Sequence, residues 1–428
     1  MADRVSRIRR RVCFVTGTRA EFGLMQSVLE AIRDDPSLTL QIIATGMHLD
    51  ASRGSTLKDI SAAGWEINAV VPWPLDTAIA VPLKSAFLPP PPVVRGRVGA
   101  GAPRHAIPTS DRQWPRKTSG SRAIATGQAM AGIAAALEKL HSDIVLVVGD
   151  RVEAFAAASA AVLSGRVLAH IHGGDRALGQ ADDSLRHAIS KLAHVHFPAT
   201  AESAARLLRL GEDKWRIHRV GSPGIDGIVQ SAAPWSTVAE DCPGLTPHRY
   251  ALVVLHPIEP DPVVEARRAE NLLSAALSVG VDRAVIVYPN NDPGAQGILR
   301  QWRHAAKNDR CLVKANVRRD IFLGLLRDAA LIVGNSSSGI IEAASFHTPA
   351  INVGPRQAGR ERCADVIDVS YDRRAIRQAV GAVWNKGRPK RSRSPNPYAA
   401  GQPSGKAIAR ILSQLHIDNK ILSKLIAY

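Results

Sequence analysis

Most of the fold prediction rests on one stretch, Gly334-Asn335-Ser336-Ser337-Ser338-Gly339-Ile340-Ile341-Glu342. The apolar residues 329–333 precede it, and residues 340–346 show helical apolar spacing. The pattern therefore predicts a strand, a turn and a helix. Such a turn directs unpaired backbone N–H groups and the positive end of a helix dipole at one point. We expect an anion site there, for a phosphate; a capped helix after a buried strand is the alternative interpretation.

Glu342 lies one turn into this predicted helix. Its carboxylate can accept hydrogen bonds from two neighbouring hydroxyls, such as those of a ribose. The small residues Ser336, Ser337, Ser338 and Gly339 let a ligand approach the backbone. The stretch thus has groups suited to both a phosphate and a ribose.

The composition is that of a soluble globular protein. The chain has 428 residues, enough for two domains, with 45% hydrophobic and 22% charged residues. No apolar run approaches the roughly 20 residues of a membrane span, and the first residues lead directly into a strand. We expect a cytoplasmic protein with no membrane partner. The four cysteines lack metal-ligand spacing, so we expect reduced thiols at Cys13, Cys242, Cys311 and Cys363.

The net charge of +17 raises the question of nucleic-acid binding. Residues 84–117 carry seven Lys or Arg against one acid, and residues 386–393 carry five against none. These segments contribute +6 and +5, which leaves +6 for the rest of the chain. Because the excess is local, we expect a solvated basic loop and tail and no nucleic-acid partner.

Two predicted strands near the N-terminus end in polar turns. Residues 11–16 lead into Gly17-Thr18-Arg19-Ala20-Glu21-Phe22-Gly23 and a helix, and residues 39–45 lead into Gly46-Met47-His48. Open α/β sheets bind ligands at such strand ends. Arg19 suits a bidentate phosphate contact, with a surface salt bridge as the alternative. The pattern predicts a doubly wound α/β domain.

Acidic and imidazole side chains follow the next strands. Residues 143–148 end in Gly149-Asp150-Arg151, and residues 166–171 run into His172-Gly173-Gly174-Asp175. A helix start follows at Asp182-Asp183-Ser184-Leu185-Arg186-His187, with either aspartate as cap. We expect five side chains to converge at one mouth of the sheet: Asp150, His172, Asp175, Asp182 and His187. For any one of them, capping or holding a loop is the alternative.

A second α/β pattern occupies the C-terminal half. Its strands at 250–255, 284–288 and 350–353 end near His256, Asn290 and Arg356, whereas a last strand of the first half, at 217–220, ends in Gly221-Ser222-Pro223-Gly224. The sequence predicts an N-terminal domain at 1–230, a linker at 231–248 and a C-terminal domain at 249–400. A helix within 401–428 is expected to pack back on the N-terminal domain. Residues 74–117, rich in Pro, Gly and Arg, are expected to be a disordered insertion.

The motifs occur in the order and spacing found in hydrolysing UDP-N-acetylglucosamine 2-epimerases of bacterial sialic-acid or nonulosonate synthesis. The resemblance is carried by the segments quoted above together with Thr45-Gly46-Met47-His48-Leu49, Tyr288-Pro289-Asn290 and Arg356-Gln357-Ala358-Gly359-Arg360. It covers nearly all of the chain outside 74–117 and the basic stretch near Lys386. The resemblance implies two Rossmann-like domains facing a cleft, as in glycosyltransferase-B folds.

The family reaction releases UDP by elimination to a 2-acetamidoglucal, and water addition then gives N-acetylmannosamine. The resemblance implies no cofactor and no metal, and suggests a homodimer or homotetramer. By position it implies chemistry at Asp150 and the Asp182/Asp183 pair, diphosphate and ribose contacts at Ser337, Ser338 and Glu342, and a phosphate contact at His256. Together with the strand-end groups described above, we expect the catalytic residues to be Asp150, His172, Asp175, Asp182, Asp183 and His187. We expect the UDP-sugar contacts to be Arg19, His48, Arg151, Arg186, His256, Asn290, Ser336, Ser337, Ser338, Gly339, Glu342 and Arg356.

The sequence departs from the family pattern at three places. His172 lies where several relatives have a catalytic glutamate, and Asp175 lies where glutamate is usual. The insertion is the third departure, interpreted as a surface loop, an element that covers the cleft or a corrupted stretch of reading frame.

Four other functions remain open. The substrate can be UDP-2,4-diacetamido-2,4,6-trideoxyglucose, since the motifs hold UDP and the acetamido-sugar core. A non-hydrolysing 2-epimerase usually has a His-Val-Glu-Ala-Gly type motif where this chain has residues 170–174. A glycosyltransferase would need an acceptor site, for which the sequence gives no signal. A non-catalytic UDP-sugar-binding protein would lack the acids that are present here.

Overall fold

The computed structural model describes residues 9–49, 56–73, 119–176, 182–290, 292–387, 391 and 394–428. The predicted insertion at 74–117 lies outside the described residues, as does part of the basic stretch at 386–393.

The N-terminal half forms a parallel six-stranded sheet in the order β3-β2-β1-β4-β5-β6. Its strands are β1 (Arg10–Thr16), β2 (Leu38–Ala44), β3 (Ala69–Val70), β4 (Ile144–Val148), β5 (Val167–Ile171) and β6 (Val195–Phe197). The helices of this half are α1 (Arg19–Asp34), α2 (Leu57–Ala62), α3 (Ser119–Leu140), α4 (Val152–Leu163), α5 (Asp182–Leu192) and α6 (Ala201–Arg209). Strands β4, β5 and β6 are buried along their whole length, as expected for parallel strands covered on both faces.

The C-terminal half repeats this strand order in a second parallel sheet, β12-β11-β10-β7-β8-β9. Its strands are β7 (Tyr250–Val254), β8 (Arg283–Val287), β9 (Cys311–Lys314), β10 (Leu331–Gly334), β11 (Ala350–Val353) and β12 (Val366–Val369). The remaining helices are α7 (Ile228–Ser231), α8 (Trp235–Asp241), α9 (Pro262–Leu277), α10 (Ala295–Ala305), α11 (Arg319–Asp328), α12 (Arg373–Trp384), α13 (Ser404–Gln414) and α14 (Asn419–Leu422). Each sheet thus has the doubly wound Rossmann order, and the fold prediction is confirmed.

The C-terminal helices pack against the first sheet. Ile408, Leu412 and Ile421 join the apolar core that contains Val12 and Phe14. Asp226 accepts hydrogen bonds from the backbone N–H groups that begin α13 and from the Ser27 hydroxyl of α1. The chain therefore passes between the two sheets twice, near residues 222–226 and 398–405.

Two local predictions were wrong. The helix predicted at 340–346 is replaced by two short 3₁₀ turns, Ser337–Gly339 and Ala343–Phe346. Ser336 Oγ caps the first turn by accepting from the Ser338 N–H. The strand predicted at 217–220 forms a single bridge to the three-residue β6. The segment 231–248, which remains a prediction as a linker, includes the short helix α8, whose Val238 is buried. No helix in the described ranges is long and apolar enough to cross a membrane.

Candidate active site

The carboxyl ends of the two sheets meet at a cleft of about 860 Å³. The first half contributes Thr18, Arg19, Met47, His48, Arg151, His172 and Ser222 to its lining. The second half contributes His256, Asn290, Arg319, Ser336, Ser337, Ser338 and Glu342. The sequence therefore identified most of the polar groups on both walls.

The serine turn after β10 depends on a glycine. Gly334 has φ +144°, and a Cβ atom there would lie 2.0 Å from the carbonyl oxygen of Val254 on the neighbouring strand. Only glycine tolerates both conditions. Ser336 begins the following turn in extended conformation, so its small neighbours present backbone and hydroxyl groups to the cleft.

Glu342 is a buried carboxylate on this same wall, with 4% of its surface exposed. Its Oε1 pairs with the guanidinium of Arg319, which also donates to the carbonyl of Gly224 at 3.1 Å. Its Oε2 has no hydrogen-bond partner within the described ranges. One oxygen of a fixed carboxylate is therefore available to accept from a ligand hydroxyl.

His256 is neutral and has a defined tautomer. Burial, with a smaller contribution from Arg356, lowers its pKa to about 3. Its Nδ1 accepts the backbone N–H of Asn290 at 3.0 Å, so the ring proton is on Nε2. The ring can thus donate to an anion without changing charge near pH 7.

Two arginines lie on the opposite wall. Arg19 is exposed and makes no hydrogen bond or ion pair with other described residues. Arg151 contacts Glu153 at 3.2 Å and Glu21 at 3.9 Å. Burial alone would lower the pKa of Arg151, but these carboxylates raise it above its ordinary value. Both side chains therefore carry fixed positive charge at the cleft.

The carboxyl group of Glu21 titrates near neutrality. Burial raises its pKa to about 7; Arg151 opposes this rise and Glu153 adds to it. Its Oε2 closes the N-terminus of α1 by accepting from the backbone of Gly17 and Thr18. Glu21 was not predicted to be a site residue, although it lies in the turn that follows β1 and begins α1.

His48 occupies a structural position. Its Nε2 contacts the hydroxyl of Thr16 at 3.0 Å, and its Nδ1 contacts that of Thr56 at 2.7 Å. Burial lowers its pKa to about 4. Both ring nitrogens are used within the protein, although the ring borders the cleft.

His172 forms a chain of three hydrogen-bonded side chains. Its Nδ1 lies 2.8 Å from Asp175 Oδ2, and its Nε2 lies 3.0 Å from Ser222 Oγ. His172 and Ser222 border the cleft, whereas Asp175 is buried beneath them with 3% exposure. Ser222 was not selected from the sequence, although it follows a predicted strand end.

The predicted acids Asp150 and Asp183 do not line the cleft in the described structure. Asp150 pairs with Arg186, which also donates to the His172 carbonyl at 3.0 Å. Asp183 lies 3.5 Å from His187, within α5. The described side chains among the five predicted to converge at one mouth of the sheet are therefore divided between two layers. His172 borders the cleft, whereas Asp150, Asp175 and His187 do not. Helix α5 begins at Asp182, whose side chain is outside the description.

Two further predicted contacts lie beside the cleft. Arg356 donates to the carbonyl of Asn335 at 3.4 Å, under the serine turn, and Gly339 is buried behind that turn. Neither borders the cleft in the described structure. Arg319 was missed by the sequence analysis, since an arginine at a helix start gives no distinctive signal.

Two Rossmann-like halves with a cleft between their strand ends define the glycosyltransferase-B class of folds. A sequence profile described as UDP-N-acetylglucosamine 2-epimerase matches residues 103–413. A UDP-N,N'-diacetylbacillosamine 2-epimerase (hydrolyzing) of Legionella pneumophila is 33% identical over 98% of this chain and 100% of its own length. A UDP-N-acetylglucosamine 2-epimerase of Neisseria meningitidis is 29% identical, covering 89% of each chain.

The fold agrees with these matches. The crystal structure of a Neisseria meningitidis UDP-GlcNAc 2-epimerase bound to UDP-GlcNAc aligns with a TM-score of 0.71 at 16% identity, over 94% of this chain and 99% of that one. The chain belongs to the UDP-N-acetylglucosamine 2-epimerase family. These relatives support 2-epimerase activity on a UDP-sugar.

Proposed function

We propose that the protein is a hydrolysing UDP-N-acetylglucosamine 2-epimerase that releases UDP and N-acetylmannosamine. The observation that carries the proposal is a single cleft with hydroxyl and carboxylate groups on one wall and cations with a histidine–carboxylate pair on the other. Relatives named as hydrolyzing 2-epimerases, from Legionella pneumophila and Campylobacter jejuni, support the hydrolytic outcome. The product would serve sialic-acid or related nonulosonate synthesis.

UDP is proposed to bind the wall formed by the second sheet. Ser337 and Ser338 would contact the diphosphate, and the Nε2 proton of His256 would donate to it. Glu342 Oε2 would accept from a ribose hydroxyl. Because neutral His256 keeps its donor at neutral pH, this wall holds its anion without a proton change.

The leaving diphosphate gains charge as the bond from sugar C1 to its oxygen breaks. Arg19 and Arg151 carry positive charge at the opposite wall and would stabilise that developing charge. A base must remove the proton from sugar C2 as UDP leaves. We assign the acid–base chemistry to the layer that contains His172, Asp175, Asp150, the Asp182/Asp183 pair and His187.

The test uses purified protein and UDP-N-acetylglucosamine, with free UDP followed by a coupled assay. The proposal expects one UDP for each free N-acetylmannosamine formed. Intact UDP-N-acetylmannosamine as product would indicate a non-hydrolysing enzyme. No turnover, with UDP-sugar binding retained, would indicate a non-catalytic binding protein.

A second candidate substrate is UDP-2,4-diacetamido-2,4,6-trideoxyglucose. The Legionella pneumophila relative is named for such a diacetamido sugar, and apolar groups of Phe22, Met47, Ile60 and Ala63 border the cleft. A 6-deoxy sugar presents a methyl group, which prefers an apolar wall, where a 6-hydroxyl would lose a hydrogen bond. Comparing kcat/KM for the two sugar nucleotides decides between them.

A further inference from the structure

Asp175, His172 and Ser222 have the order and spacing of an orienting acid, a base and a hydroxyl. The two contacts are 2.8 Å from Asp175 Oδ2 to His172 Nδ1 and 3.0 Å from His172 Nε2 to Ser222 Oγ. The three residues come from the turn after β5 and from the segment before Pro223. Their alignment is therefore produced by the tertiary fold.

Asp175 is held in place and ionised. Its Oδ1 accepts the hydroxyl of Ser203 at 2.7 Å. Burial alone would raise the pKa of Asp175, but His172 lowers it below its usual range. A carboxylate can only accept, so His172 carries its proton on Nδ1. The lone pair on Nε2 then accepts the hydroxyl proton of Ser222.

The backbone of His172 is strained. Its φ is +61°, in the left-handed region that non-glycine residues rarely adopt. The N–H of His172 donates to the Phe197 carbonyl at 3.1 Å, and the carbonyl of His172 accepts from the Arg186 guanidinium at 3.0 Å. Strain retained by such bonds is typical of functional sites, since it fixes the direction of one side chain.

Ser222 is positioned where the chain passes between the two sheets. Its N–H bonds to the Tyr398 carbonyl at 2.9 Å, and its side chain borders the cleft. Ser222 is 3% exposed, and its hydroxyl contacts the His172 imidazole at the edge of the cleft. The Nε2 atom of His172 contacts this hydroxyl, so a proton that reaches Nε2 along the observed hydrogen bond comes from Ser222 Oγ.

We propose that Ser222 Oγ relays a proton from water to the His172–Asp175 pair during the addition of water to the unsaturated sugar. This inference rests on the proposed hydrolytic function. A hydroxyl relay suits transfer from O–H to nitrogen. Removal of a proton from carbon needs the base itself in contact with the C–H bond, so the earlier elimination is assigned to another base.

The step balances as follows. The oxygen of water forms a bond to sugar C1 while the π electrons of the C1=C2 bond take a proton at C2. The acid that delivers that proton is a second carboxyl group, on the face of the sugar opposite to the base of the elimination, and it takes its own proton from solvent. The proton of water moves to Ser222 Oγ, and the original hydroxyl proton of Ser222 moves to His172 Nε2. Asp175 stabilises the resulting imidazolium, which returns its proton to solvent.

The test is Ser222→Ala, with Ser190→Ala as the matched control. Ser190 is a second buried serine whose hydroxyl contacts a histidine of β5, His170 Nδ1, at 3.2 Å. UDP release and sugar products are followed by NMR from UDP-N-acetylglucosamine, and water addition is measured separately with 2-acetamidoglucal plus UDP. Thermal unfolding of both variants verifies that they fold.

We expect Ser222→Ala to release UDP within about threefold of the wild-type rate and to add water on the order of 10²-fold more slowly, so that 2-acetamidoglucal accumulates. In H₂O/D₂O mixtures the wild-type rate of water addition should curve with deuterium fraction, since three protons move in that step, and should come closer to linear in the variant, which lacks the two relay transfers. Ser190→Ala should match the wild type in both steps.

If Ser222→Ala adds water at the wild-type rate, the relay is overturned. Parallel loss of UDP release and water addition would also overturn it, by making Ser222 a positioning residue for the whole site. If the wild-type protein releases no UDP, the proposed function fails, and the relay fails with it.

Discussion

The two carboxylate oxygens of Glu342 have different roles: one is held in an ion pair within the protein, and the other is available to a ligand. Arg319 neutralises Oε1, while Oε2 stays buried without a partner in the described part of the chain. Burying an unpartnered carboxylate oxygen is costly unless a ligand supplies the missing hydrogen bond. The residue is thus suited to a ribose hydroxyl.

Glu342→Gln should weaken UDP binding about 10- to 100-fold, because a hydrogen bond to a charged group contributes about 1.5–3 kcal/mol. The maximal rate should change little if Glu342 contacts only the nucleotide. Calorimetric titration with UDP measures the effect. Glu30→Gln, on the exposed side of α1, is the control. Unchanged UDP affinity in Glu342→Gln would contradict the assignment.

Asp150→Asn should reduce UDP release at least about 10²-fold while UDP affinity stays within about threefold. The substitution removes the charge that pairs with buried Arg186, which in turn holds the His172 carbonyl. The rate of UDP release and the UDP affinity obtained by calorimetric titration measure these two effects.

Asp143→Asn is the matched control, since Asp143 precedes the other end of β4 and accepts the Arg11 N–H at 2.8 Å. Wild-type turnover in Asp150→Asn would remove Asp150 from the mechanism.

At the scale of elements, helix α5 is anchored at its C-terminal end. Lys424 donates to the carbonyls of Ser190, Lys191 and Ala193 and pairs with the buried carboxylate of Glu212. Cations at this end also interact favourably with the helix dipole. The helix that carries Asp182, Asp183, Arg186 and His187 is therefore tied to the C-terminal segment.

Glu212 makes this anchor sensitive to acid. Burial would raise its pKa, but hydrogen bonds from His196, Lys191 and Lys424 lower it to about 2. A carboxyl group whose pKa is lower in the folded than in the unfolded state stabilises the folded protein at pH values above its unfolded pKa, near 4.5. This stabilisation is lost as the pH falls toward 2.

Glu212→Gln should lower the free energy of unfolding at pH 7 by on the order of 3 kcal/mol. The difference in the free energy of unfolding between this variant and the wild type should become smaller as the pH falls from 4.5 to 2. Denaturant unfolding at several pH values measures it. Glu138→Gln, which removes an exposed ion pair with Arg166, should change stability by less than about 1 kcal/mol. A pH-independent difference would contradict the role of Glu212.

Much of the element order was predictable from the sequence. Continuous apolar runs such as 144–148 and 250–254 predict buried parallel strands, and polar turns after them locate the ligand edge. The two 3₁₀ turns after Gly334 were not predictable from apolar spacing, since turns of three and four residues are too short to show a helical period. Short edge strands such as β3 carry too few residues for a periodic signal.

The candidate site was predictable as a group of residue types but not as a geometry. Polar groups after consecutive strands identified His172 and Asp175, yet only the tertiary structure reveals that Ser222 completes their hydrogen-bonded chain. It also separates residues on the cleft wall from those behind it, such as Asp150. Sequence spacing carries no information about that second layer.

At the scale of the whole molecule, the cleft brings together groups that neither half contains alone. The second sheet contributes the groups proposed to hold UDP, and the first contributes the groups proposed for proton transfer. Segment 222–226 touches both halves, through Ser222 to His172 and through the Gly224 carbonyl to Arg319. Binding of UDP is thus physically connected to the proposed acid–base layer.

The central claim is that UDP is released and water is added with a change of configuration at C2. The most direct measurement is NMR of the products formed from UDP-N-acetylglucosamine in D₂O. The account predicts free UDP and N-acetylmannosamine with deuterium at C2, since the C2 proton is removed and replaced from solvent. Products that retain the C2 proton, or UDP-N-acetylmannosamine with no free UDP, would contradict it.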